Sequence, residues 1–103
     1  MDYQHIDALM DLLDSFKKAR SMVKDASALE GINMIEKSIL SSLSQLKVER
    51  IKAEKEKFDP QLHNAVFMQE SKDVPSGTII AEMESGYMLD GKVLKYSQVI
   101  VAK

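Results

Sequence analysis

The chain contains no cysteine, and its 103 residues include only two histidines and 6% aromatics. Without thiols there is no disulfide framework, no thiolate zinc site and no cysteine nucleophile, which fits a reducing, cytoplasmic setting. No apolar run approaches the roughly 20 residues that span a bilayer. The start, MDYQHIDALM, lacks the basic stretch and small-residue cleavage site of a secretory signal. An excess of one charge is missing too: 14 basic and 16 acidic residues interleave to a net −2. That leaves no basic face for phosphates and no aromatic platform for bases, so neither nucleic acid nor membrane is an expected partner. No HExxH, no second histidine at ligand spacing and no glycine-rich phosphate cradle occurs, and no metal or cofactor is expected.

What is present divides into two halves with different periods. From residue 3 to 24, Leu9, Leu13, Phe16 and Val23 continue a stripe that begins at Ile6 and is broken only by Arg20. Met10, Leu12, Ala19 and Met22 widen it beyond a single coiled-coil seam, so this helix is expected to pack on two or more neighbours. A second helix is expected over about 28–47. Ser27 and Glu30 have the spacing of a capping box, and Ile32, Ile35, Ile39, Leu43 and Leu46 follow at helical spacing. Gly31, inside the first turn, is out of place there, since glycine costs roughly 1 kcal/mol against alanine in a helix. It fits either fraying or tight packing near the helix start, or the close approach of another backbone.

Two such helices form a hairpin whose wide apolar faces it cannot cover alone. A chain this short buries only roughly 60–70% of its unfolded surface. The economical solution is a homodimer with a four-helix bundle, in which Leu9, Leu13, Phe16, Ile35, Ile39 and Leu43 line the dimer interface. VERIKAEKEK, residues 48–57, reads as the end of helix two running into a linker or edge strand, its charges on a solvated face.

After Phe58 the period changes to two. AVFMQES, TIIAEME, GYML, KVLK and QVIVA are strand candidates. Asp90-Gly91 is a two-residue hairpin signal, because a type I′ turn needs positive φ at both positions. Val74-Pro75-Ser76-Gly77 supplies another turn. The expected fold class is α+β: residues 1–57 as a helical dimerisation region with its linker, then 58–103 as a compact all-β domain, an antiparallel sheet or small barrel.

The stretch KFDPQLHNAVFM at the junction admits two readings. His63 with Asp59 would be a catalytic or metal pair, but the chain's other histidine lies at position 5, far off in the helical half, and no serine has an activating motif. Alternatively Asp59 caps one short helical turn with Pro60 at its first position, and His63 hydrogen-bonds the backbone of the joint. The second reading is preferred, and no enzymatic activity is expected.

Phe58-Asp59-Pro60-x-x-His63-x-Ala65-Val66, then Glu70-Ser71, Gly77-Thr78, Gly86-Tyr87-x-Leu89-x-x-Lys92-Val93-Leu94 and Val99-x-Val101 closely resemble GrpE, the nucleotide exchange factor family of DnaK-type chaperones. Upstream, LLDSFKKA and EGINMIEKSIL resemble segments of the same family, so the likeness runs from about residue 8 to the end. It implies a homodimer whose β-domain presses on the nucleotide-binding domain of a DnaK-type chaperone, holds its cleft open and releases ADP. It implies partner contacts at Gly31, at Phe58 and Pro60, and at Met83, Lys92 and Val101 of the β-domain. Met83 and Val101 could instead belong to the β-core. The chain departs from the family pattern where Lys92-Val-Leu-Lys-Tyr-Ser97 replaces Arg-Val-Leu-Arg-Pro-Ala, and lysine cannot reproduce a bidentate guanidinium contact. Asp11 stands where many members have proline, and the N-terminal half of the family's helical stalk is not represented. The competing expectation is a GrpE-like dimerisation or adaptor module with weak or no exchange activity.

Overall fold

The computed structural model describes residues 3–103, with side chains from Asp7 onward, so those of His5 and Ile6 lie outside the described residues. Two helices are followed by six short strands, and the chain divides into two compact units between Gln45 and Leu46.

Helix α1 runs Tyr3–Met22 and α2 Ala26–Gln45. The start of α2 differs from the capping-box expectation. Asp25 is the cap: its Oδ2 accepts the Ala28 amide at 2.9 Å, and its carbonyl accepts Leu29 at 3.0 Å. A carboxylate two residues upstream of Ser27 begins the helix earlier, where its negative charge also meets the positive end of the helix dipole. Ser27 is thereby drawn into the first turn. Arg20, the break in the α1 stripe, is explained by Glu36 of α2, which is buried and holds Arg20 Nη1 at 2.8 Å.

The β-unit consists of β1 (Val48–Arg50), β2 (His63–Gln69), β3 (Ile79–Glu84), β4 (Tyr87–Leu89), β5 (Lys92–Lys95) and β6 (Ser97–Ala102). They form two three-stranded sheets, ordered β1-β4-β5 and β2-β6-β3. The first is antiparallel throughout. In the second, β6 pairs antiparallel with β3 but parallel with β2, which departs from the all-antiparallel expectation. Parallel pairing requires a long crossover, and β3, β4 and β5 together supply it. In the order β2-β6-β3, β2 lies at an edge of its sheet. A register shift between Ala65 and Phe67 interrupts its alternation, and Val66, Phe67 and Met68 are all exposed.

The Asp90-Gly91 hairpin forms as expected, with φ of 49° and 85°, and joins β4 to β5. The Pro75 turn also forms, with the Thr78 amide donating to the Pro75 carbonyl at 3.1 Å. The core of this unit comprises Ala53, Ile79, Val99 and Val101, with Phe58 packed against them; Val48, Ile51 and Tyr87 are also buried.

The charge run 48–57 belongs to this second unit. Its backbone is stitched to it: Ile51 N–H donates to Gly86 O at 2.9 Å, Lys55 N–H to Ile79 O at 3.0 Å, and Ile79 N–H to Glu56 O at 2.9 Å. Main-chain pairing does not depend on the side chains. The acids and lysines of 54–57 therefore stay in water while Val48, Ile51 and Ala53 are buried.

Both changes of sheet meet at Gly86. The chain leaves β3 for β4 through Ser85 and Gly86, and leaves β5 for β6 through Tyr96 alone. A Cβ on Gly86 would lie 2.4 Å from Ser97 N and 2.7 Å from Lys95 O. Only glycine lets the two crossings pass each other here.

Candidate partner-binding site

The junction is a built corner. Asp59 Oδ1 accepts the Gln61 amide at 2.9 Å, and the Asp59 carbonyl accepts Leu62 at 2.9 Å and His63 at 2.8 Å, closing one turn across Pro60. This is the capped single turn expected from Asp-Pro. His63 is 4% exposed, and both ring nitrogens serve the backbone. Nδ1 accepts the Asp59 amide at 3.0 Å, while Nε2 donates to the Lys52 carbonyl at 2.8 Å. The ring is thus a neutral Nε2–H tautomer, assigned from its partners. The Asp59 carboxylate is turned to Gln61 and not to the imidazole, so the two do not form an acid–base pair.

Phe58 precedes the corner, half-buried, its ring centroid 6.1 Å from the imidazole and its amide donating to Gly77 O at 2.9 Å. Pro60 is exposed. Met83 is 55% exposed on β3, and Lys92 is exposed at the start of β5, so these two belong to different sheets. Val101 is 2% exposed and lies inside the β-core, shaping the surface from beneath. Its alternate neighbour Val99 is buried as well, because β6 is the central strand of its sheet and turns this face inward.

The surroundings of these residues come from strands distant in the chain. Glu84, next to Met83, reaches Lys95 Nζ at 3.6 Å, a largely exposed pair that orients more than it stabilises. Arg50 lies directly across the ladder from Tyr87; its Nε and Nη2 donate to the phenol oxygen at 3.3 and 3.2 Å. Opposite registers of distant strands carry no local sequence signal. Tyr96, at the sheet crossing, is half-exposed beside Lys95.

In the helical unit, Gly31 sits in the second turn of α2, exposed, with open space where a Cβ would be. Leu13 and Leu43 are already buried within one chain. Leu9, Phe16 and Ile39 are half-buried, and Ile35 is 54% exposed. Among the described residues no cluster of three or more His, Asp or Glu side chains could hold a metal ion, and no helix is long and apolar enough to cross a membrane.

Two amphipathic helices followed by a two-sheet β-unit define an α+β protein. The family profile described as GrpE matches residues 3–103, and the chain belongs to the GrpE family. It is similar to the protein GrpE of Gloeothece citriformis (34% identical, covering 94% of this chain and 36% of the relative) and of Vibrio proteolyticus (33%, covering 94% and 50%). Similarity to the protein GrpE of Bacillus subtilis is 35%, covering 90% of this chain and 52% of the relative. The chain thus spans about a third to a half of the length of these relatives.

Proposed function

We propose that this chain acts as a homodimeric, non-enzymatic co-chaperone in the cytoplasm, binding the nucleotide-binding domain of a DnaK-type chaperone and promoting ADP release. The observation that carries the reading is family membership across both units, from residue 3 to 103. The exchange factor makes and breaks no covalent bond. It binds the open conformer of the chaperone better than the closed one that grips ADP. By linkage it must weaken ADP binding by the factor by which ADP weakens its own. A coupling of about 1–3 kcal/mol changes affinity roughly 5–150-fold.

In this reading Phe58 and Pro60 at the corner, Met83 and Lys92 of the β-unit, and Gly31 of the helical unit meet the chaperone. Val101 contributes by holding β6 against β3. Apolar area from Met83 supplies affinity and the Lys92 ammonium orientation. Dimerisation is supported by the helical unit: Leu12, Met34 and Ile35 are exposed on helices whose other apolar residues are half-buried or buried. A second chain covering Leu9, Phe16, Ile35 and Ile39, above a layer of Leu13 and Leu43, would complete a four-helix bundle.

The test is stopped-flow release of a fluorescent ADP analogue from a DnaK-type chaperone. Acceleration that saturates with protein concentration is the expected result, and Met83→Ala or Lys92→Ala should each weaken chaperone binding about fivefold or more. A second reading, a dimerisation or adaptor module without exchange activity, is favoured by one feature: Lys92 stands in place of a bidentate arginine. A folded dimer that leaves ADP release unchanged, with both alanine variants binding as the parent does, would select it.

A further inference from the structure

The corner that carries Phe58 and Pro60 closes on itself through the Asp59 carbonyl and carboxylate, which hold Gln61, Leu62 and His63. Those bonds shape the turn without joining it to the stretch that follows β1. His63 makes that connection, spanning from the Asp59 amide on one side of its ring to the Lys52 carbonyl on the other, at 3.0 and 2.8 Å. It is also the first residue of β2, which pairs with Ser97 of β6. One ring therefore ties the corner, the segment after β1 and the sheet into a fixed arrangement. The task demands an acceptor and a donor on opposite sides of a rigid plane. A neutral imidazole supplies both at this span; an asparagine or glutamine amide also carries an acceptor and a donor, but its stem length brings only one of them to its partner. Burial raises the stakes, because a lost partner leaves a backbone group without water to replace it.

We infer that His63 is a positioning residue for partner recognition: it sets the Phe58–Pro60 corner in the orientation the chaperone reads, over and above its contribution to stability. The inference rests on the reading that this corner meets a DnaK-type chaperone. Two substitutions in the full chain separate the roles. His63→Asn keeps an acceptor near Nδ1, within reach of the Asp59 amide. His63→Gln places its amide N–H near the Lys52 carbonyl and abandons Asp59. Each loses one hydrogen bond, so a purely structural role would lower melting temperature and chaperone affinity in parallel for both.

Positioning forecasts a split. Affinity for the chaperone should fall about tenfold or more in His63→Gln and less than about threefold in His63→Asn, at similar melting temperatures. Hydrogen exchange should show the Asp59 amide losing protection in His63→Gln while the Ile79 and Val99 amides keep theirs. Equal losses of affinity in the two variants, with the unmodified chain binding normally, would overturn this inference and leave the proposed function standing. An unmodified chain that binds no chaperone would overturn both. If neither variant folds, exchange on the unmodified chain decides: Asp59 and Gln61 amides protected about as strongly as Ile79 and Val99 before the chaperone is added support a corner set in advance, and amides protected only once the chaperone is bound refute it.

Discussion

Within residues 46–103, Ile79, Tyr87, Val99 and Val101 are almost completely enclosed by one chain. The helices enclose Met10, Leu13 and Leu43, and leave Leu12, Met22, Met34 and Ile35 largely in solvent. The two units also differ in what holds them. The β-unit is laced by backbone bonds between distant residues, such as Ile51 to Gly86 and Phe58 to Gly77. The helices are linked by side chains, with the Arg20–Glu36 pair as one clear tie. A partly buried ion pair of this kind contributes little net stability, because desolvation offsets most of its attraction, but it disfavours registers that would separate the charges. The contrast teaches that apolar content alone does not make a self-sufficient unit. The helical half is as apolar in pattern as the β half, yet a stripe broader than one neighbour can cover stays partly wet until another surface arrives.

The contrast is testable by damaging each unit in turn. Leu13→Asp, which puts a charge at a fully buried position, should cost the helical unit about 4 kcal/mol or more. Sedimentation should show loss of the proposed dimer and circular dichroism loss of helix, while slow amide exchange persists at Val99. Loss of protection in both units together would show that they fold as one and break the comparison. Gly86→Ala is the opposite experiment. With backbone atoms as close as 2.4 Å to the new methyl, the sheets must part, at a cost of about 3 kcal/mol read from denaturant unfolding of the β-unit. An unchanged midpoint would mean the crossing is looser than its geometry.

Smaller effects sharpen the contrast further. Tyr87→Phe removes the acceptor for two Arg50 donors and should destabilise the β-unit by about 1.5 kcal/mol, with no change in sedimentation. Asp25→Ala should cost the helical unit about 1 kcal/mol through loss of the cap, and Ser27→Ala only a few tenths, roughly 0.3 kcal/mol. Equal effects from Asp25 and Ser27 would restore the capping box as the start of α2.

Local features of this protein follow from its residues alone. The 3–4 spacing of Leu9, Leu13 and Phe16 and of Ile35, Ile39 and Leu43 specifies helices, because a side chain's face follows from backbone geometry alone. Asp90-Gly91 specifies its hairpin and Asp59-Pro60 its turn for the same reason: φ preferences and short-range caps act within a few residues. The resemblance spread through the motifs was legible at that level too, since it depends on order and spacing. The remaining features depend on partners far apart in the chain. Glu36 gives Arg20 its reason, β6 inserts between β2 and β3 and makes one pair parallel, and residues 48–57 join the β-unit through main-chain bonds that their charges do not announce. The candidate site divides along the same line. Met83, Lys92 and Pro60 are exposed, whereas Val101 is turned inward, because the inner face of a strand is chosen by whichever sheet it enters and by nothing in its own alternation. Alternation names two faces; only packing says which of them is inside.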